Sequence, residues 1–105
     1  MKGFVYRLIA PRPTFAIDMT PAERATLMEH GAYWSALMTA GKAVAFGPVD
    51  DPRGSYGLGI LLVDNLDEAE AIRDADPAIT APHGLRAELA PMIRLVTADG
   101  VFEGG

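Results

Sequence analysis

His30 is the residue whose type and position most suggest chemistry. The chain of 105 residues contains two histidines and no cysteine. Disulfides, thiolate catalysis and cysteine-based zinc sites are therefore excluded, and an imidazole is the side chain best suited to move a proton near neutral pH. His30 falls on the apolar side of a predicted helix, where it would be partly buried and would need a hydrogen-bond partner. That partner could serve a purely structural histidine or orient a reactive one.

Asp76 is the candidate partner for His30. It follows a second predicted helix and precedes Pro77, which ends that helix because proline disfavours a helical conformation in the residue before it. In a βαβ arrangement the end of the second helix can lie near the middle of the first. Asp76 could then accept a hydrogen bond from one imidazole nitrogen and leave the other free to transfer a proton. The alternative is a turn residue that caps the following segment.

Four further residues are candidates for binding a small molecule. Trp34 lies one helical turn after His30 and, with Phe46, could line an aromatic pocket, although aromatic residues at helical spacing are also typical of an ordinary core. Gly57 and Gly59 lie on the same face of a predicted strand. Two glycines there leave space for a ligand or for another part of the backbone.

Three other positions have open alternatives. His83 lies in a predicted loop, where it is either solvated or able to donate to an anionic ligand. Phe15 and Ile17 could fold over a pocket or pack against the first turn of the following helix. Asp50 and Asp51 indicate a turn, because no further ligand stands at the spacing that a cation site needs. We expect no metal and no cofactor.

The helix that carries His30 has clear end signals and is predicted over residues 20–41. Thr20 is an N-cap, Pro21 occupies the first helical position, and Glu23 completes a capping box. Gly41 can adopt the left-handed conformation that closes a helix.

The remaining elements alternate in a recognisable order. They are a strand at 2–10, a loop at 11–19, a strand at 42–46 stopped by Gly47-Pro48, a strand at 56–63, a helix at 65–75, a strand at 85–96 and a flexible tail at 97–105. Pro91 lacks an N–H and favours an edge position for the last strand. The order β-α-β-β-α-β predicts one α+β domain over residues 1–105 with a ferredoxin-like fold: a four-stranded antiparallel sheet with two helices on one face.

Composition limits the partners. Hydrophobic residues make up 50% of the chain, and the predicted strands are apolar on both faces. We therefore expect a homodimer in which the uncovered sheet faces pack together. The formal charge is -5 and no basic cluster is present, which argues against nucleic acid and anionic membrane surfaces. No apolar run reaches the roughly 18–20 residues of a membrane span, and the sequence predicts a soluble, cytoplasmic protein.

The motifs resemble those of the YCII-related family from residue 2 to about residue 96. They are His30, Tyr33-Trp34, Gly41, Gly47-Pro48, the glycine-containing strand at 56–63, Asp76-Pro77 and Pro91-Met92. The resemblance implies a fold similar to the dimeric α+β barrels and identifies His30 and Asp76 as the proposed active-site pair of the family. One characterised relative is a dehydrochlorinase of a chlorinated hydroxyquinol, which implies proton transfer on a small phenolic compound. The long Pro-rich segment at 11–19 and the additional His83 depart from the family pattern, so substrate class does not transfer.

Three hypotheses for function remain open. The first is a lyase- or isomerase-like enzyme in which His30, oriented by Asp76, acts as general acid and base inside a pocket walled by Trp34 and Phe46. The second is a non-catalytic module that binds a small metabolite in the same pocket. The third makes the pair a structural hydrogen bond in the core.

Overall fold

The computed structural model describes residues 1–104 and has a mixed α+β architecture. Its elements are β1 (Lys2–Ile9), α1 (Phe15–Asp18), α2 (Pro21–Thr39), β2 (Ala43–Val49), β3 (Tyr56–Val63), α3 (Leu66–Ala75), α4 (Pro77–Thr80), β4 (Arg86–Pro91), β5 (Arg94–Thr97) and β6 (Gly100–Glu103). The predicted helices at 20–41 and 65–75 correspond to α2 and α3.

Strands β1 to β4 form one antiparallel sheet in the order β2-β3-β1-β4. This confirms the predicted four-stranded antiparallel sheet. The register pairs Tyr6 of β1 with Gly59 on one side and with Leu89 on the other. Paired residues of neighbouring strands point to the same face of a sheet, so Tyr6 and Gly59 face the same way.

One face of the sheet carries the core. Phe4, Tyr6 and Leu8 alternate along β1 and are all buried, as expected for one face of a strand. They share one hydrophobic cluster with Trp34 of α2 and Ile72 of α3. Residues of both long helices therefore meet this face, and the candidate site lies between the helices and the sheet.

The predicted caps of α2 are confirmed. The Thr20 hydroxyl accepts the Glu23 N–H at 3.1 Å, and the Glu23 carboxylate accepts the Thr20 N–H at 2.9 Å. At the other end Gly41 has a φ of 75°. The Lys42 N–H then donates to the Leu37 carbonyl at 2.9 Å, as in a Schellman motif. These caps fix where the helix begins and ends, and hence the position of His30 along it.

The prediction that Gly47-Pro48 ends the second strand was wrong. Strand β2 continues to Val49, with Pro48 paired to Gly57. Because β2 is an edge strand, proline can lie there without breaking a hydrogen bond to a further strand. Pro91 ends β4, the other edge strand, so its predicted edge position is confirmed.

The C-terminal region differs from the prediction. The predicted strand at 85–96 is divided, because β4 ends at Pro91 and β5 begins at Arg94. The predicted tail from residue 97 contains β6, which forms an antiparallel hairpin with β5. Residue 105, the last of that tail, lies outside the described residues. Leu95 of the hairpin packs against Gly3, where a Cβ would come within 2.8 Å of the leucine Cβ. The hairpin therefore covers the start of β1.

Two segments outside the predicted helices and strands contain short helices. Helix α1 lies within the predicted loop at 11–19, where the Thr14 carbonyl accepts the N–H groups of Ile17 and Asp18. Helix α4 follows Asp76 directly. Among the helices of residues 1–104, none has the length and apolar character needed to cross a membrane.

Candidate functional site

Asp76 lies at the junction of α3 and α4 and ends one helix while it begins the next. It is the C-cap of α3, and its Oδ1 accepts the Ala78 N–H at 2.9 Å as the N-cap of α4, with Pro77 at the first position. The residue is fully buried, at 0% exposure. The two interpretations offered for Asp76, helix cap and partner of His30, are therefore not exclusive.

Three side chains donate to the Asp76 carboxylate in addition to the Ala78 N–H. The Tyr6 hydroxyl donates to Oδ2 at 2.8 Å, and the Trp34 indole N–H donates to the same oxygen at 3.1 Å. The Nδ1 atom of His30 lies 2.9 Å from both carboxylate oxygens. The predicted contact between His30 and Asp76 is thus confirmed as a buried pair. Strand β1 and helix α2 contribute these donors, so the carboxylate joins three parts of the fold.

The surroundings of Asp76 favour its charged form. Burial acts to raise its pKa, but the hydrogen bond and charge of His30, the Ala78 N–H and the Tyr6 hydroxyl outweigh burial and hold the pKa below the ordinary value. Burial, and next the Asp76 charge, raise the pKa of Tyr6. Tyr6 therefore remains a hydroxyl donor, and Asp76 remains an anion that accepts from every neighbour.

An ionised Asp76 also determines the role of His30. A carboxylate can only accept hydrogen bonds, so the Nδ1 atom of His30 carries the proton in this contact. The other nitrogen, Nε2, makes no hydrogen bond within residues 1–104. In the neutral imidazole Nε2 is then a free base, and the side chain is 13% exposed. The arrangement allows His30 to take up a proton and to return it.

A cavity of about 310 Å³ lies beside His30. Its walls are mainly aromatic and aliphatic, and in the described part of the chain no Lys, Arg, Asp or Glu side chain lines it. The lining residues come from β1, the segment before α2, α2 itself, β2 and β3; they include Tyr6, Phe15, Met19, Leu27, His30, Trp34, Phe46, Pro48, Tyr56, Gly57 and Gly59. Among the described lining residues, His30 therefore brings the one imidazole to a small and largely apolar cavity.

The predicted aromatic residues lie beside this cavity. Trp34 and Phe46 both line it, with ring centroids 5.8 Å apart. The rings of Trp34 and His30 have centroids 6.2 Å apart. Trp34 thus contributes to the cavity wall with its ring and to the Asp76 site with its N–H.

Gly57 and Gly59 also line the cavity, but the space above each is already occupied. At Gly59 a Cβ would overlap the six-membered ring of Trp34, and at Gly57 it would lie 3.1 Å from the Leu8 Cβ. The absence of side chains therefore lets core residues pack closely against β3. The space that the missing side chains leave is therefore filled by Trp34 and Leu8 and is not open to a ligand.

His83 is not brought to the cavity. Its Nε2 atom lies 3.1 Å from the Thr26 hydroxyl of α2, and it is absent from the cavity lining in the described part of the chain. The contact ties the loop before β4 to α2. Its role in binding a ligand stays a prediction that this position does not favour.

The sequence pointed less clearly to two features of the site. Tyr6 lies in the strand predicted at residues 2–10, and a tyrosine hydroxyl needs a hydrogen-bond partner when it is buried. Phe15 lines the cavity, whereas Ile17 is 87% exposed. Within the described residues, no group of three His, Cys, Asp or Glu side chains has the arrangement of a metal site.

The family model of the YCII-related domain matches residues 4–93 of the chain. The match covers most of the chain, and this protein belongs to the YCII-related family. Curated proteins provide no match to it.

Proposed function

We propose that the chain is a small-molecule enzyme in which His30 transfers a proton as general base and general acid. The observation that carries the proposal is the pairing of His30 Nδ1 with a fully buried, ionised Asp76. The second nitrogen, Nε2, is unbonded within the described residues, and His30 lines the cavity, so this nitrogen is available to a ligand. General acid–base catalysis needs one well-placed group, so the apolar character of the other walls is no obstacle.

The reaction class is lyase- or isomerase-like. Neutral His30 accepts a proton from a carbon or hydroxyl of the substrate at Nε2, and the imidazolium that forms lies against the Asp76 anion. In an elimination the electron pair of the broken C–H bond forms a double bond and expels the leaving group. In an isomerisation the proton returns to another atom of the same substrate. Tyr6 and Trp34 hold Asp76 in place for either course.

A small cyclic, phenolic compound suits this cavity. Aromatic rings of Trp34 and Phe46 form part of its walls, and ring compounds pack well against such surfaces. A hydroxyl on the ring would be able to hydrogen-bond with Nε2 of His30. This substrate class is part of the proposal and extends beyond family membership.

The second candidate is a non-catalytic module that binds a small metabolite. It is favoured by the absence, among the described lining residues, of a charged side chain to stabilise an anionic intermediate. In that case the pair of His30 and Asp76 supplies polar recognition only.

The proposal extends to the assembly of the protein as a homodimer. The strand order β2-β3-β1-β4 agrees with a ferredoxin-like fold, and the sheet face away from the helices carries Val5, Leu58 and Ile60, of which Leu58 is 36% exposed. We infer that two copies pack through these faces, as in a dimeric α+β barrel. Sedimentation equilibrium should give the mass of a dimer, and a monomer at micromolar concentration would contradict this part.

Deuterium exchange tests the catalytic proposal. Wild type, His30→Gln and Asp76→Asn are incubated in D₂O with a panel of small phenols and cyclic ketones, and NMR follows exchange and turnover. We expect wild type to exchange at least one compound about 10²–10⁴ times faster than His30→Gln, the range for a positioned acid–base group. Saturable binding without exchange or product, unaltered by Asp76→Asn, would instead establish the binding module. Asp74→Asn is the matched control, since the Asp74 side chain is 67% exposed.

A further inference from the structure

The segment between β1 and α2, residues 11–19, forms one side of the cavity, and we call it the arm. It contains α1 and contributes Phe15 and Met19 to the cavity lining. Phe15 is 6% exposed, so its ring is already inserted between the arm and the core. The arm therefore forms one wall of the space beside His30, which stays partly open.

Arg12 attaches the arm to the start of α2. Its guanidinium donates to both carboxylate oxygens of Glu23, at 2.9 and 2.7 Å, and to Asp18 at 2.8 Å. The same group lies 5.2 Å from the ring centroid of Phe15. Thr14 also donates to Asp18 at 2.7 Å. One planar guanidinium thus connects the arm, the capping residue of α2 and the ring that lines the cavity.

The rest of the arm is held by packing alone. A Cβ at Gly54, in the turn between β2 and β3, would come within 3.3 Å of the Pro13 Cα. Within residues 1–104 no backbone hydrogen bond joins the arm to the sheet, and its backbone bonds are local. The Arg12–Glu23 ion pair is consequently the directional attachment of the arm to α2, since Asp18 belongs to the arm itself. Loss of this ion pair would free the arm to move.

The chemistry of the enclosed space restricts what it can hold. The described lining residues offer no cation to pair with a carboxylate or phosphate, apart from His30 when it is protonated. Placing an unpaired anion there would lose its hydration without compensation. A volume of about 310 Å³ is at the lower end of the range for ligand cavities. The ligand is therefore compact and uncharged when it enters.

We propose that the arm is the specificity element of this cavity. Phe15 and Met19 set the size of the ligand, and the Arg12–Glu23 ion pair holds the arm in place beside it. The ligand class is a compact, uncharged ring compound. This inference rests on the proposed function only in that it concerns the same cavity. It makes no use of proton transfer.

Quenching of Trp34 by acrylamide tests the closure without any ligand. Trp34 is the single tryptophan of the chain and is 1% exposed, so the neutral quencher reaches it only when the cavity opens. Arg12→Gln should raise the Stern–Volmer constant severalfold, and Asp18→Asn, which leaves the Arg12–Glu23 ion pair in place, should raise it less. The matched control is Arg53→Gln, which removes an ion pair to Asp51 from a side chain that is 91% exposed; its constant should equal that of wild type. Equal constants in all four proteins would overturn the role of the arm, and circular dichroism verifies that each variant is folded.

Selection of the ligand by size and by charge is tested with three para-substituted benzenes. Binding of p-cresol, 4-butylphenol and p-toluate is measured by Trp34 emission in wild type, Phe15→Ala and Phe15→Leu; the leucine variant serves if truncation of a buried ring prevents folding. Wild type should bind p-cresol severalfold more tightly than the p-toluate anion and than 4-butylphenol. The Phe15 variants should bind 4-butylphenol more tightly, relative to p-cresol, than wild type does. An unchanged ratio, equal binding of p-toluate, or no binding of p-cresol would overturn the proposal.

The two proposals fail separately. If arm variants leave quenching and ligand size unchanged while His30→Gln abolishes deuterium exchange, the arm inference is wrong and the enzyme proposal stands. If the arm variants behave as expected and no compound exchanges, the cavity is a selective binding site and His30 is not a catalyst.

Discussion

The indole ring of Trp34 lies directly over Gly59 of β3, in the space that a Cβ at this position would need. The ring atom Cζ2 would be 3.1 Å from that Cβ, and the outer ring atoms would be closer still. In this position the indole N–H reaches Asp76 while the ring forms a wall of the cavity. Gly59 therefore gives Trp34 the space it needs to contact Asp76 and to line the cavity.

Gly59→Ala should displace the indole and destabilise the protein. The added methyl group has no free space, and overpacking of a core lowers the free energy of unfolding by about 1–3 kcal/mol. Urea denaturation measures the loss, and Trp34 emission should shift as the ring moves. Gly47→Ala in β2 is the matched control, because no atom lies within 4 Å of a Cβ there. Equal stabilities of the two variants would contradict the prediction.

Replacement of Tyr6 and Tyr33 by Phe should separate a charged acceptor from a neutral one. The Tyr6 hydroxyl donates to the Asp76 carboxylate, whereas the Tyr33 hydroxyl donates to the Ile72 carbonyl at 2.7 Å. Hydrogen bonds to charged groups contribute about 1.5–3 kcal/mol and neutral ones about 1 kcal/mol. Tyr6→Phe should therefore lower the free energy of unfolding more than Tyr33→Phe in urea melts at pH 7. The reverse order would contradict the prediction that the Tyr6 hydroxyl donates to a charged acceptor.

The attachment of the arm should weaken in acid. The hydrogen bonds from Arg12, and next the Thr20 N–H, lower the pKa of Glu23 from 4.5 to about 2. Because the folded value lies below the unfolded one, the ionised carboxylate stabilises the fold. This contribution is complete above about pH 4.5 and is lost as the pH falls toward about 2.

Arg12→Gln removes that contribution together with part of the lowering of the Asp18 pKa, which the hydrogen bonds from Thr14 and Arg12 cause. The difference in free energy of unfolding between wild type and this variant should be largest above pH 4.5 and shrink toward pH 2. Other carboxylates, Asp76 among them, titrate in both proteins and largely cancel in the difference. A difference that stays constant over this range would mean that the Arg12–Glu23 ion pair contributes nothing through charge.

Local sequence signals predicted the ends of the two long helices, because capping depends on residues close in the chain. Thr20, Glu23 and Gly41 sufficed for the ends of α2, and Asp76-Pro77 for the end of α3. The pairing of His30 with Asp76 followed from the element order and one apolar helix face. Each of these inferences used residues close in the chain or a common arrangement of a few elements.

Tertiary context decided the rest. Pro48 was expected to end a strand, and it does not because β2 is at the edge of the sheet. The residues Ala98 and Asp99, followed by Gly100 with a φ of 152°, form the turn that joins β5 to β6, and Asp and Gly are residues typical of turns. The convergence of Tyr6 and Trp34 on one carboxylate depends on sheet register and helix docking together, and nothing in the chain near either residue specifies it.

The position of Asp76 has a consequence for how the chain folds. Its hydrogen bonds to Tyr6, His30 and Trp34 span 70, 46 and 42 residues of sequence. Contacts of such separation require much of the chain to be ordered first, and a lone buried carboxylate would be costly until all of its donors arrive. The first strand, the long helix and the α3–α4 junction must therefore dock as one cooperative unit. The emission of Trp34 in a refolding experiment would then report the closing step of the whole domain.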